Sequence, residues 1–155
     1  MNDISLILGY FPGLKADKAF QITSEKTRDY NCIAWASSVN TRWEWPPLDN
    51  TSPEADEYWP AGVLNSERIE AFIQNFESKG FVCCDNEAIE SEVQKIALFA
   101  KDGICTHASL QLPDGKWTSK LGFLNDISHS LHALDGEFYG SVACIMKRPI
   151  NKVFL

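Results

Sequence analysis

The second half of the chain is punctuated in a way that few folds accommodate. Three apolar-rich runs, Lys95 to Ala100, Thr106 to Leu112 and Trp117 to Leu121, are separated by Asp102-Gly103 and by Asp114-Gly115. Asp-Gly supplies the positive φ values that tight hairpin turns require, so each pair predicts a reversal between neighbouring strands. Phe81 to Cys84 and Phe138 to Met146 read as further strands on either side. The second half is therefore expected to be an antiparallel meander.

Helical signals lie ahead of it. Ile69, Phe72, Ile73 and Phe76 fall at i, i+3, i+4 and i+7, with Asn65-Ser66 before them as a cap and Gly80 after them as a stop. A shorter apolar helix is expected from Ile33 to about Val39, with Asn31 as its N-cap. Ala19 to Thr23 reads as a short strand. Residues 41 to 62 are rich in Trp, Tyr and Pro and read as an ordered excursion without regular elements. Helices followed by an antiparallel sheet define an α+β class, and 155 residues fit one domain, taken as residues 1–155.

Charge removes several functions. The formal net charge is -7, and the most basic stretch, Lys147-Arg148, gains only Lys152 nearby. A nucleic-acid ligand would need a cationic surface, so none is expected. No apolar run approaches the length of a membrane span, and Asp3 stands where a secretory leader would carry a cation. A cytoplasmic location without a signal peptide is the expectation, with delivery by another protein's secretion machinery as the alternative. No cofactor is expected.

Five cysteines, at 32, 83, 84, 105 and 144, form neither a disulfide framework nor a CxxC metal motif. Cys144 and Cys105 read as core thiols, and one of the adjacent pair Cys83-Cys84 is expected to be buried. Cys32 differs because it follows Asn31 at a helix start. Backbone amides in a first turn favour an anion, so a reactive thiolate with a lowered pKa is expected there. The amide of Cys32 would also serve as half of an oxyanion hole. A buried, inert core thiol is the plainer alternative.

His107 opens the strand Thr106 to Leu112, where alternation groups it with Ser109 and Gln111 opposite Ala108, Leu110 and Leu112. It is the expected base. His129 and His132 would share one face of a helical turn, but a metal site there lacks a third ligand. Trp117 reads as a cross-strand packing residue. The tryptophans at 43, 45 and 59 could wall a cleft.

The Asn31-Cys32-Ile33-Ala34-Trp35-Ala36 block, followed by His107 at the start of a hairpin, resembles the papain-like fold. Within it the closest likeness is to the NlpC-type branch of bacterial cell-wall endopeptidases. The same block, with Tyr58-Trp59-Pro60-Ala61-Gly62 and Gly115-Lys116-Trp117-Thr118-Ser119-Lys120-Leu121-Gly122, also resembles an uncharacterised bacterial domain family. The resemblance implies a thiol peptidase or amidase with Cys32 and His107 as a dyad and a third, orienting residue on the return strand. That position falls at Ser119, with His129, Gln111 and Asp126 as alternatives. A protein or peptide substrate is expected in preference to cell wall, because neither an export signal nor a wall-binding segment is read; for an effector or toxin delivered between bacteria, a cognate inhibitor (immunity) protein is expected as well. A non-catalytic protein-interaction domain and a thiol-dependent deamidase or transglutaminase are the competing expectations.

Overall fold

The computed structural model describes residues 3–48 and 57–150. In chain order the elements are α1 (Asp3–Tyr10), a 3-10 turn (Pro12–Ala16), β1 (Gln21–Ile22), α2 (Cys32–Ala36), β2 (Trp43–Glu44) and β3 (Glu57–Tyr58). Then come α3 (Ile69–Glu77), β4 (Val82–Cys84), β5 (Val93–Lys101), β6 (Ile104–Gln111), β7 (Trp117–Lys120) and β8 (Asp126–His129). A second 3-10 turn (Leu131–Leu134) and β9 (Ser141–Pro149) complete the described residues.

Seven strands form one antiparallel sheet in the order β1-β8-β7-β6-β5-β9-β4. The architecture is α+β. Its centre, β5 to β7, is the meander that the Asp-Gly pairs predict, and β8 extends it without such a signal: Asp102 and Gly103 adopt φ of 52° and 81°, and Gly115 a φ of 91°. The excursion after α2 is more regular than expected, because β2 and β3 pair in parallel. That pairing joins segments distant in sequence, so no local turn signal announces it. Residues 49–56 of the excursion lie outside the described residues.

The sheet is covered on both faces. On one, α2 and α3 bring Ile33, Ala36, Phe72 and Phe76 onto Ile96, Leu98, Ala108 and Met146. On the other, α1 and the two 3-10 turns bring Ile7, Phe11, Leu14 and Leu131 onto Ala97, Phe99, Trp117, Ile127 and Tyr139. β5 is buried on both sides, which is why it reads as a continuous apolar run and not as an alternation. α3 begins later than Asn65-Ser66: its N-cap is Arg68, which makes no side-chain cap bond. Ser66 instead accepts a hydrogen bond from the Arg68 amide through Oγ at 3.0 Å.

A bulge sets the faces of β6. Phe99 pairs with His107 and Ala100 with Cys105, leaving Thr106 as an extra residue. Cys105 thus joins the core under α2, while His107, two positions on, meets Phe99 on the opposite side.

Candidate active site

Asn31 fixes the start of α2. Its Oδ1 accepts from the amides of Ala34 at 3.2 Å and Glu44 at 3.0 Å, and its Nδ2 donates to the Glu44 carbonyl at 2.9 Å. One side chain both caps the helix and pins it to β2. Glu44 is itself fully buried, paired with Lys79 and with Arg42.

Cys32, the first helical residue, is 8% exposed. Burial pushes its thiol up to about 11; the amides of Ala108, Ile33 and Cys32 and the charge of Lys120 pull the other way without winning. The expected lowered pKa is therefore corrected. Two helical turns at most stand behind the sulfur, and desolvation of a buried anion outweighs so short a dipole. Cys32 packs in the same buried cluster as Ala108. The β6–β7 ladder has only two rungs, Leu110 with Thr118 and Gln111 with Trp117, so the strands part beside Ala108. The helix start sits at that parting.

His107 is fully buried. Its ring stacks on Tyr139, with centroids 4.1 Å apart and planes 9° from parallel, and meets the edge of Phe99 at 5.3 Å. Burial, and then the charge of His129, hold its pKa well below 6.5. Its Nε2 lies 2.9 Å from Ser119 Oγ, which also contacts Ser109 Oγ at 2.7 Å and His129 Nε2 at 2.7 Å. His129 Nδ1 lies 2.8 Å from the Ser130 carbonyl.

These partners fix the protons. A carbonyl only accepts, so His129 Nδ1 carries hydrogen, and its Nε2, neutral because burial lowers its pKa to about 4, must accept. The single Ser119 proton goes to that nitrogen. Ser119 Oγ then accepts from Ser109 and from His107 Nε2–H. His107 Nδ1 is left with a bare lone pair, buried and without a hydrogen-bond partner.

The structure thus brings Ser119 to His107 directly and His129 through Ser119. Gln111 turns away, donating to the Glu87 carbonyl at 2.7 Å. Asp126 accepts from the Tyr30 hydroxyl at 2.7 Å and pairs with Lys120 in register, beside α2 and not beside the histidines. Cys32 and His107 share no hydrogen bond. They are linked less directly: Tyr139, stacked on His107, is raised in pKa by burial and by the Cys32 charge.

Other residues are placed differently from expectation. His129 lies buried on β8 and His132 on the exposed 3-10 turn, where it faces Asp135 at 3.0 Å, so the two share no face. Among the described residues no group of three or more His, Cys, Asp or Glu could hold a metal ion. Neither Cys83 nor Cys84 is buried, since β4 is an edge strand; Cys83 Sγ lies 3.8 Å from Cys144 Sγ. Trp45 and Trp59 pack edge-on against Phe72, and Trp43 packs at a tilt against Phe123. Lys120 and Tyr139 are site residues to which the sequence analysis gives no role. For Lys120 the signal was available, because Thr118-Ser119-Lys120 alternates faces along one strand.

Fold and site together define an α+β domain with a capped-helix thiol on one side of a strand and a histidine relay on the other. A family model described as Domain of unknown function (DUF7689) matches residues 21–147, and the chain belongs to that family. No curated protein and no solved structure matches it. Among the described residues no helix is long and apolar enough to cross a membrane.

Proposed function

We propose that this domain is a papain-like cysteine hydrolase, a peptidase or amidase acting on protein substrates. Cys32 is the nucleophile, His107 the base, and Ser119, backed by His129, the group that orients the base. One observation carries the reading: the hydrogen-bond chain through Ser119 forces the His107 tautomer whose Nδ1 lone pair is free. A base needs that state, and a purely structural histidine gains nothing from a buried, unpaired nitrogen.

In the resting protein the thiol keeps its proton. Substrate binding would have to bring the sulfur through the parting of β6 and β7 to within hydrogen-bond reach of Nδ1, on the other side of the strand. The proton passes from sulfur to Nδ1 and the sulfur bonds to the carbonyl carbon, with the Cys32 amide facing the oxyanion. Imidazolium returns the proton to the leaving amine as the C–N bond breaks. Water then attacks the thioester, gives its proton to Nδ1, and the thiol is regenerated as the acid departs. His129 retains its proton and acts only on tautomer and orientation.

The competing reading, a non-catalytic interaction domain, draws on the raised thiol pKa and on the missing Cys32–His107 hydrogen bond. Mass spectrometry of a proteome treated with wild-type protein, Cys32→Ala or His107→Ala decides between them. New peptide termini with wild type alone support hydrolysis. Conversion of glutamine to glutamate without new termini would replace it with deamidation. Identical digests from all three proteins would remove the enzyme reading.

A further inference from the structure

Lys120 is fully buried. Its ammonium donates to the carbonyls of Thr27, at 2.8 Å, and Gly122, and it lies 5.3 Å from the centre of the Tyr30 ring. Two of its three N–H groups are thereby used. Among the described residues no carboxylate lies within ion-pair distance of it. The carboxylates that act on it, Asp126 and Asp29, do so from farther away.

A buried cation without an ion-pair partner is costly, and such a charge is found where negative charge must be received. The element packed against this part of β7 is α2. Trp35 Nε1 donates to Thr118 Oγ1 at 3.1 Å, and strand alternation puts Lys120 on the same face as Thr118. The titratable groups that interact by charge with Cys32 are Lys120, Cys105 and Tyr139, with Tyr30 and Asp126 next to the lysine, and of all these only Lys120 is cationic.

We propose that Lys120 is a positioning residue for Cys32: its buried ammonium supplies the positive charge against which the Cys32 thiolate forms. The inference rests on the hydrolase reading and adds a charged group to it. His107 takes the proton, while Lys120 stabilises what the proton leaves behind. The two roles come from opposite faces of one strand, since Ser119 serves the histidine and its neighbour Lys120 serves the thiol. The mutual influence of Cys32 and Lys120 on each other's protonation agrees with this placement.

The test is the rate at which iodoacetamide labels Cys32 in the intact protein between pH 7 and 9. It is read on tryptic peptide 29–42, where Cys32 is the only cysteine. Below the thiol pKa this rate follows the thiolate fraction. Lys120→Met should label about tenfold more slowly at each pH, as expected for loss of one neighbouring opposite charge. Lys120→Arg should retain most of the wild-type rate. Equal rates in wild type and Lys120→Met, or no rescue by Arg, would overturn the proposal.

A second measurement leaves the lysine and its carbonyl partners in place. In Cys32→Asp, which places an anion at that position, the Lys120 Cε resonance should titrate at higher pH than in wild type, and an unmoved midpoint would count equally against coupling. The two readings fail separately. A Lys120-dependent labelling rate without new peptide termini would sink only the hydrolase. New termini with a rate indifferent to Lys120 would sink only this inference.

Discussion

Acid should loosen this protein through its histidines before its carboxylates. His129 is buried with its pKa lowered from 6.5 to about 4, by burial first and against the opposing pull of the Ser130 carbonyl and Asp17. The unfolded chain therefore binds a proton more readily than the folded one. The stability that a neutral His129 contributes is complete above pH 6.5 and is lost as pH falls through 6.5 towards 4. That difference in proton affinity is worth about 3 kcal/mol, a large part of the 5–15 kcal/mol typical of a domain. His107, lowered in the same direction, adds to the loss. Urea unfolding of wild type and His129→Gln at pH 7, 5.5 and 4 measures the contribution, together with the smaller coupling of His129 to Asp17 and His107. The stability gap between the two proteins should shrink by about 3 kcal/mol from pH 7 to pH 4. A gap independent of pH, or a His129 imidazole titrating near 6.5 by NMR, would refute the burial argument and the tautomer chain built on it.

Three further outcomes are expected. Ser119→Ala removes the shared partner of Ser109, His107 and His129 at once, and should cost about 2–4 kcal/mol by thermal or chemical unfolding. Gly140→Ala should lower the melting temperature and disturb the neighbouring Tyr139 ring, seen as a changed near-ultraviolet circular dichroism spectrum. An added Cβ would lie 2.2 Å from the Ala100 carbonyl oxygen, at a φ of +76° that alanine resists. Phe72→Ala, in a fully buried position that meets both Trp45 and Trp59, should cost about 3–5 kcal/mol and alter tryptophan fluorescence.

What could be read from the residues was what short-range chemistry controls. The Asp-Gly turns, the spacing of Ile69 to Phe76 and the Asn31 cap are local devices, and each stands where its chemistry predicts. The alternation that groups His107 with Ser109 also holds, and Ser119 comes to His107. β8 was hidden because Asp126-Ile127-Ser128-His129 carries polar side chains to both sheet faces, so no hydrophobic pattern marks it. The Thr106 bulge left no trace either; a uniform alternation would have put Cys105 beside His107, whereas it lies under α2. The raised Cys32 pKa depends on how much chain covers the helix start, a tertiary quantity that a capping motif cannot report. The β2–β3 pairing and the remoteness of Asp126 from the histidines are likewise products of non-local contact.

Strand β7 has a consequence for folding fidelity. In Thr118-Ser119-Lys120, a slip of one residue against β6 would exchange the faces of every side chain. The ammonium would then enter the pocket of His107, His129 and Phe99, which offers it no anion, and the Ser119 hydroxyl would leave two imidazoles without their common partner. Both errors are severe in a dry interior. With only two rungs joining β6 to β7, backbone pairing is a weak guardian of alignment. The same side chains that make up the site thus proofread the sheet, so a chain that folds in the wrong register loses stability as well as chemistry.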